Sequence, residues 1–214
     1  MHKCKRLRRL LRTTLNQRVA RLESRLSAIS GSPRHKDRDL VIAYVTIEAL
    51  NAWALFCRSF YLSCALGAWT ERKRRVALLN TTSDPLGEAI TIYNSRARPN
   101  AAGVWHRRDE PTWHDPNVLM RVCNNLGCSI QSQILQAFSL HQNVFNDLPV
   151  FRNFFAHRND QTSQAARNIA PRYMLTTKLS PAELLMAVSP GATESVILEW
   201  LAEMKVTAEF LCKG

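Results

Sequence analysis

The sequence predicts an all-α protein, an antiparallel helical bundle that opens with a basic amphipathic helix, and three features predict it. Apolar residues recur at helical spacing, capping residues and prolines punctuate the chain where helices would start, and strand-like alternation is scarce. With 214 residues, 46% of them apolar, the chain suffices for one ordinary core. The expected organisation is a basic helix and turn over 1–38, appended to a bundle over 39–214.

In the first segment Leu11, Leu15, Val19, Leu22, Leu26 and Ile29 follow one another by fours and threes, the stripe of a helix packed along one side. Gly31-Ser32-Pro33 then supplies a turn. Residues 1–38 hold 12 Lys and Arg against two acids, whereas residues 39–214 hold 17 against 15, so most of the net charge of +12 is local. A patch of this kind suits a polyanion, because each neutralised phosphate releases condensed counterions. Nucleic acid is favoured over an anionic membrane, with Arg6, Arg8, Arg9 and Arg12 as candidate RNA contacts. An organelle-import peptide would share the Arg-rich amphipathic pattern, but here the stripe runs on to Ile29. Lys3, Lys5, Arg6, Arg8, Arg9 and Arg12 interrupt any secretory apolar stretch, and a cytoplasmic location is expected.

From Asp39 to Trp69 the chain is apolar almost all round, as in the central helix of a bundle. Glu48 and Arg58 argue against a bilayer span: the longest uncharged stretch, Ser59 to Thr70, is 12 residues, short of the roughly 18–20 that cross hydrocarbon. Glu48, Asn51 and Arg58 share one face with Leu55 and Leu62. Two readings stand: buried polar contacts between helices, or a supporting set around the Arg152–His157 motif described below.

The six cysteines, Cys4, Cys57, Cys64, Cys123, Cys128 and Cys212, are scattered and read as reduced core residues. His106, His114, Cys123 and Cys128 match no compact zinc-ligand spacing, and no metal or other cofactor is expected. Glu71-Arg72-Lys73-Arg74-Arg75 opens a polar connection, and Asp84-Pro85-Leu86-Gly87 supplies turn chemistry before a short helix over 86–95. The stretch 99–116 is expected to be an ordered loop in which Trp105 and Trp113 either plug the bundle end or stack bases. Asp115 and Pro116 start a helix to about Asn125, Ser129 caps another to about Leu140, and Asp147 with Pro149 starts a third. Ser180-Pro181-Ala182-Glu183 is a capping box, and Thr193–Leu211 is the last helix, with Val196, Ile197, Trp200, Leu201, Met204 and Phe210 inward. Gly-rich phosphate loops, nucleophile elbows and compact acidic metal clusters are not visible.

The helix after Asp147 carries the chemistry. At about 100° per residue, Arg152, Asn153 and His157 fall within an arc of roughly 140°, with Phe151, Phe154 and Phe155 opposite. Ala156 leaves a shallow notch between the cations. An arbitrary helix with these residues would be a solvated face paired with acids such as Asp160. The spacing of Arg152, a polar Asn153, three residues and His157 resembles the signature of the HEPN superfamily, helical bundles whose catalytic members are metal-independent ribonucleases. The resemblance implies an HEPN-like bundle, a homodimer, catalytic roles for Arg152, Asn153 and His157, and a toxin or phage-defence role with an antitoxin or defence-complex partner. It equally admits a non-catalytic scaffold or a nucleotide- or RNA-binding partner in such a complex. Members modified on tyrosine carry a Tyr two places after the His; this chain has Asn159 there, which puts that control in doubt.

RNA brings its own nucleophile in the 2′-hydroxyl, so cleavage needs proton transfer and charge neutralisation. An imidazole does the first at neutral pH, and a guanidinium binds phosphate through paired hydrogen bonds. One His157 cannot easily stand on both sides of phosphorus, so two chains are expected to contribute to one cleft. Arg158, beside the motif, adds to the RNA-binding set, and a structured RNA such as tRNA fits a basic helix that does not read bases.

Overall fold

The computed structural model describes residues 2–30, 37–72, 74–80, 83–139 and 143–213, with only the backbone described for 2–8 and 30. Among the described residues the secondary structure is helical, with no strand beyond isolated bridges such as Leu78 to Cys128. The helices are α1 (His2–Ser30), α2 (Arg38–Ala65), α3 (Pro85–Tyr93), α4 (Pro116–Asn125), α5 (Gln131–Ser139), α6 (Val144–His157), α7 (Asp160–Arg167), α8 (Pro181–Met186) and α9 (Val196–Lys213). The all-α expectation holds. The Gly31-Ser32-Pro33 turn, Lys73, Leu140 and the side chains of Cys4, Arg6 and Arg8 lie outside what is described.

The chain divides into two compact units. The first comprises Met1–Leu15, Trp53–His141 and Thr207–Gly214; the second comprises Asn16–Ala52 and Gln142–Val206. Helices α1, α2 and α9 thus contribute residues to both.

In the first unit, Trp53, Phe56, Phe60 and Tyr61 of α2 are buried together with Leu119 and Val122 of α4. Tyr61 donates to the Pro85 carbonyl at 2.6 Å and stacks on Trp113, centroids 5.1 Å apart. Trp113 is therefore a plug, and burial pushes the Tyr61 phenol up from its ordinary titration range. Asp84 caps α3 through Gly87 N–H at 2.9 Å and also accepts from the Trp105 indole at 2.7 Å, so its carboxylate ties the loop to the helix start. A Cβ at Gly87 would lie 2.2 Å from the Asp84 carboxylate and 2.5 Å from the Trp105 nitrogen, so glycine is required there. Asp115 caps α4 as expected, accepting from Asn117 N–H at 2.8 Å. Ser129 does not cap α5: its hydroxyl accepts from Ala77 N–H at 3.2 Å, stapling the connection after α2.

In the second unit, Leu15's successors on the α1 stripe, Val19, Leu22, Leu26 and Ile29, are all buried. Glu23 reaches Lys205 of α9 at 2.7 Å. The α1 helix is thus part of the core, and truncating it would remove packing along with charge. Thr46 satisfies its buried hydroxyl on the Ile42 carbonyl at 2.7 Å, which lets a polar residue sit inside α2. By length and composition α2 could cross a membrane, with a window of mean hydropathy 1.7, but 56% of that window is buried inside the protein. The Ser180 capping box forms as expected at the start of α8. The last helix begins at Val196, and Phe210 is exposed at 44% rather than inward.

Candidate active site

The α6 helix starts at Val144, one turn before the sequence predicts, and Asp147 is not its cap. Asp147 is 1% exposed and accepts hydrogen bonds from Arg172 Nη1 and from the Tyr173 hydroxyl at 2.9 Å; that hydroxyl accepts in turn from the Trp200 indole at 2.8 Å. The carboxylate's partners are tertiary, and spacing along the chain cannot reveal them. Pro149 falls inside the helix, where it supplies no N–H to the helical hydrogen-bond ladder. The helix start is served from α9, since Asn143 makes no side-chain cap and the Glu203 carboxylate accepts from the Val144 amide.

Phe151 is fully buried and meets Trp200 edge-on, centroids 5.5 Å apart, and Phe155 is buried with Phe154 against its edge at 5.0 Å. The aromatic side of the motif helix is thus locked, as helical periodicity requires. Arg152, Asn153, Ala156 and His157 are exposed on the other side. Among the described residues none forms a hydrogen bond or ion pair with the side chains of Arg152, Asn153 or His157, and Asp160 pairs with neither Arg152 nor His157. The face is open to solvent, and among the described residues no acid is paired with it.

His157 is the last residue of α6, and the chain turns sharply after it. Arg158 adopts the left-handed conformation at φ 45° and its N–H closes the helix on the Phe154 carbonyl at 2.7 Å. Asn159 then caps α7, accepting from Thr162 N–H at 2.9 Å in a capping box. A non-glycine residue held left-handed stores local strain, so the corner that presents His157 is overdetermined by its two helices. Asn159, the position where some HEPN proteins carry tyrosine, has a structural use here.

The other candidate residues are placed differently. Glu48 and Asn51 bond to each other at 3.1 Å, and among the described residues neither is hydrogen bonded to Arg152 or His157. Arg58 forks onto Glu110, with contacts at 2.6 and 3.3 Å, in the first unit. Neither expected reading is what these contacts form: the Glu48–Asn51 bond stays within α2 on its exposed side, and Arg58 is half-buried against a loop residue. Arg12 is not a free RNA contact, because Glu71 at 3.1 Å and Glu209 at 3.5 Å neutralise it. Arg9 and Arg158 are exposed. Cys57, Cys64, Cys123, Cys128 and Cys212 are free, buried thiols, as expected, and burial pushes the Cys57 thiol up. Among the described residues no three His, Cys, Asp or Glu side chains group as metal ligands.

Burial pushes the Glu203 carboxyl up to about 7, and the neighbouring Glu199 and Asp147 carboxylates push the same way against the Val144 amide. The folded value exceeds the ordinary one, so this group's contribution is present below the unfolded value and is lost as pH rises through about 7. Glu203→Gln keeps an acceptor for Val144 and is expected to stabilise the protein by about 1–2 kcal/mol at pH 8, allowing for residual solvation. Denaturant unfolding at pH 5.5 and pH 8 checks this; an equal effect at both would refute the titration. In comparisons with family models, curated proteins and solved structures, nothing matches this chain.

Proposed function

We propose that the protein is an endoribonuclease of the HEPN type, cleaving RNA by 2′-hydroxyl transesterification, without a metal ion, in a site completed by a second copy of the chain. The observation that carries this reading is the pairing of Arg152, Asn153 and His157 on an open face of a helix whose opposite side is locked by Phe151, Phe155, Asp147 and Glu203. A guanidinium and an imidazole that no described residue engages, held on a buried support, suit phosphoryl chemistry, because charge builds on the phosphate and protons must move in the transition state.

One His157 takes the proton from the 2′-oxygen as that oxygen bonds to phosphorus. The partner's His157 gives a proton to the departing 5′-oxygen as its bond to phosphorus breaks, and the Arg152 side chains hold the phosphate oxygens. Asn153 orients the phosphate or an imidazole. The products are a 2′,3′-cyclic phosphate and a 5′-hydroxyl. Because unrestrained cleavage would harm the cell that makes it, a toxin or phage-defence role in the cytoplasm, with an antitoxin or complex partner, fits this chemistry.

Chelator-treated protein incubated with total RNA or tRNA is expected to yield fragments whose 5′ ends accept label from polynucleotide kinase without prior phosphatase. Fragments with 5′-phosphates, or cleavage abolished by chelator, would overturn the mechanism. RNA that is bound but stays intact would favour the non-catalytic HEPN-like scaffold instead.

A further inference from the structure

Within the second unit, a groove of about 740 Å³ lies along α1 and α2, lined by Arg18, Arg21, Arg25, Tyr44 and Glu48 among others. We infer that this groove holds a stretch of single-stranded RNA, with the arginines on its phosphates and Tyr44 stacking a base. The inference rests on the reading of RNA as substrate but not on catalysis.

The three arginines are spaced by three and four residues along one flank of α1, roughly 90° round from the middle of its buried stripe. They span about 10.5 Å along the axis at 1.5 Å per residue, enough for about two successive phosphates of a single strand. All three are exposed, and among the described residues none has an ion-pair partner. Glu23, the acid nearest in sequence, is drawn off by Lys205. Arg12, one of the cations first assigned to RNA, is by contrast already neutralised.

Tyr44 makes the groove more than a charged surface. Its ring is 46% exposed on a helix that otherwise buries its aromatic residues, and the Arg25 guanidinium lies over it, 4.9 Å from the centroid. A guanidinium stacked on an aromatic ring forms a flat platform onto which a base can stack whatever its sequence. The Glu48 carboxylate would repel a phosphate at the groove floor, but with the Asn51 amide bonded to it at 3.1 Å it offers an acceptor suited to base amino groups. The polarity therefore favours backbone on the arginine side and bases on the tyrosine side. A duplex, whose bases are stacked and paired, cannot use Tyr44.

The test is fluorescence anisotropy with the full chain carrying His157→Ala, so that cleavage does not consume the probe. The probes are a labelled 15-nucleotide mixed-sequence RNA, the same sequence as DNA, and the RNA duplex. Single-stranded RNA is expected to bind most tightly. Arg18→Ala/Arg21→Ala should weaken it at least tenfold and reduce the slope of log affinity against log salt by about 1.4. Tyr44→Ala should weaken it about tenfold, Tyr44→Phe hardly at all, and neither should change the salt slope. All of these side chains are exposed, and matched melting curves confirm folding. Unchanged affinity and slope in the arginine pair, equal effects of the two Tyr44 variants, or preference for duplex would each overturn the groove assignment. Tighter binding of DNA than of RNA would overturn RNA as its occupant. Cleavage that persists in the His157→Ala protein would instead count against the catalytic proposal, and the groove would then be measured with the same RNA carrying 2′-O-methyl groups, which lacks the attacking hydroxyl.

Discussion

His157→Ala is expected to lower RNA cleavage about 1000-fold with no change in melting temperature. The side chain is exposed and has no partner among the described residues, so its removal opens no cavity and strands no polar group. If two imidazoles act on one phosphate, each is essential to its own half of the proton transfer, and a site with one has lost a general acid or a general base outright. That arithmetic can be read from mixtures. When wild-type and His157→Ala chains exchange freely at equal amounts, about one quarter of the dimers hold two intact histidines. Activity should then fall to about a quarter of that of the same total wild-type protein, along the square of the wild-type fraction. A linear fall to about half would mean that each chain cuts alone, and the composite site would be abandoned. Arg152→Ala in the same titration should follow the same curve if both guanidinium groups hold the phosphate. Arg152→Lys should recover only part of the activity, since an ammonium cannot fork onto two oxygens.

The parts of this site legible in the sequence are those that local periodicity governs. Phe151 and Phe155 sit inward and Arg152, Asn153 and His157 outward because a helix places residues by angle, whatever surrounds it. The α1 stripe, the Asp115 cap and the Ser180 capping box were readable for the same reason, since each is decided within a few residues. What supports the motif was not readable. Asp147 beside a proline has the pattern of a helix cap, and only the arrival of Arg172, Tyr173 and Trp200 makes it a buried anchor. Glu203, 59 positions beyond Val144, caps a helix it does not adjoin in sequence. Arg12 and Arg18 look alike in a charge count, yet distant acids neutralise the first and none reaches the second among the described residues. The spacing of Arg18, Arg21 and Arg25 along a flank of the apolar stripe was available as a signal, but the exposed ring of Tyr44 that completes the groove was hidden in a helix that reads as apolar on all sides.

Asp147→Ala is expected to destabilise the protein by about 2–3 kcal/mol, through the loss of an acceptor inside the core. Arg172 is half exposed and can turn to water, so most of the penalty falls on the Tyr173 hydroxyl, which is buried and keeps only the Trp200 indole as a partner. Burial pulls the Asp147 carboxyl up, and the Tyr173 hydroxyl and Arg172 guanidinium pull it down, so the charged form depends on both donors. Asp147→Asn, which keeps the volume and one acceptor oxygen, should cost about half as much. For a chain of this size the alanine variant should melt roughly 5–10 °C lower. A double-mutant cycle with Tyr173→Phe isolates the shared hydrogen bond and should return a coupling of about 1–2 kcal/mol; additive effects would show that the two side chains are not energetically linked. Asp147 and His157 lie on the same helix about 15 Å apart along its axis. Loosening the anchored first turn should therefore also raise amide exchange in α6 and lower cleavage well below the wild-type rate under conditions where the variant remains folded. If amide exchange along α6 stayed at its wild-type level while global stability fell, Asp147 would be a core residue with no part in holding the motif in place.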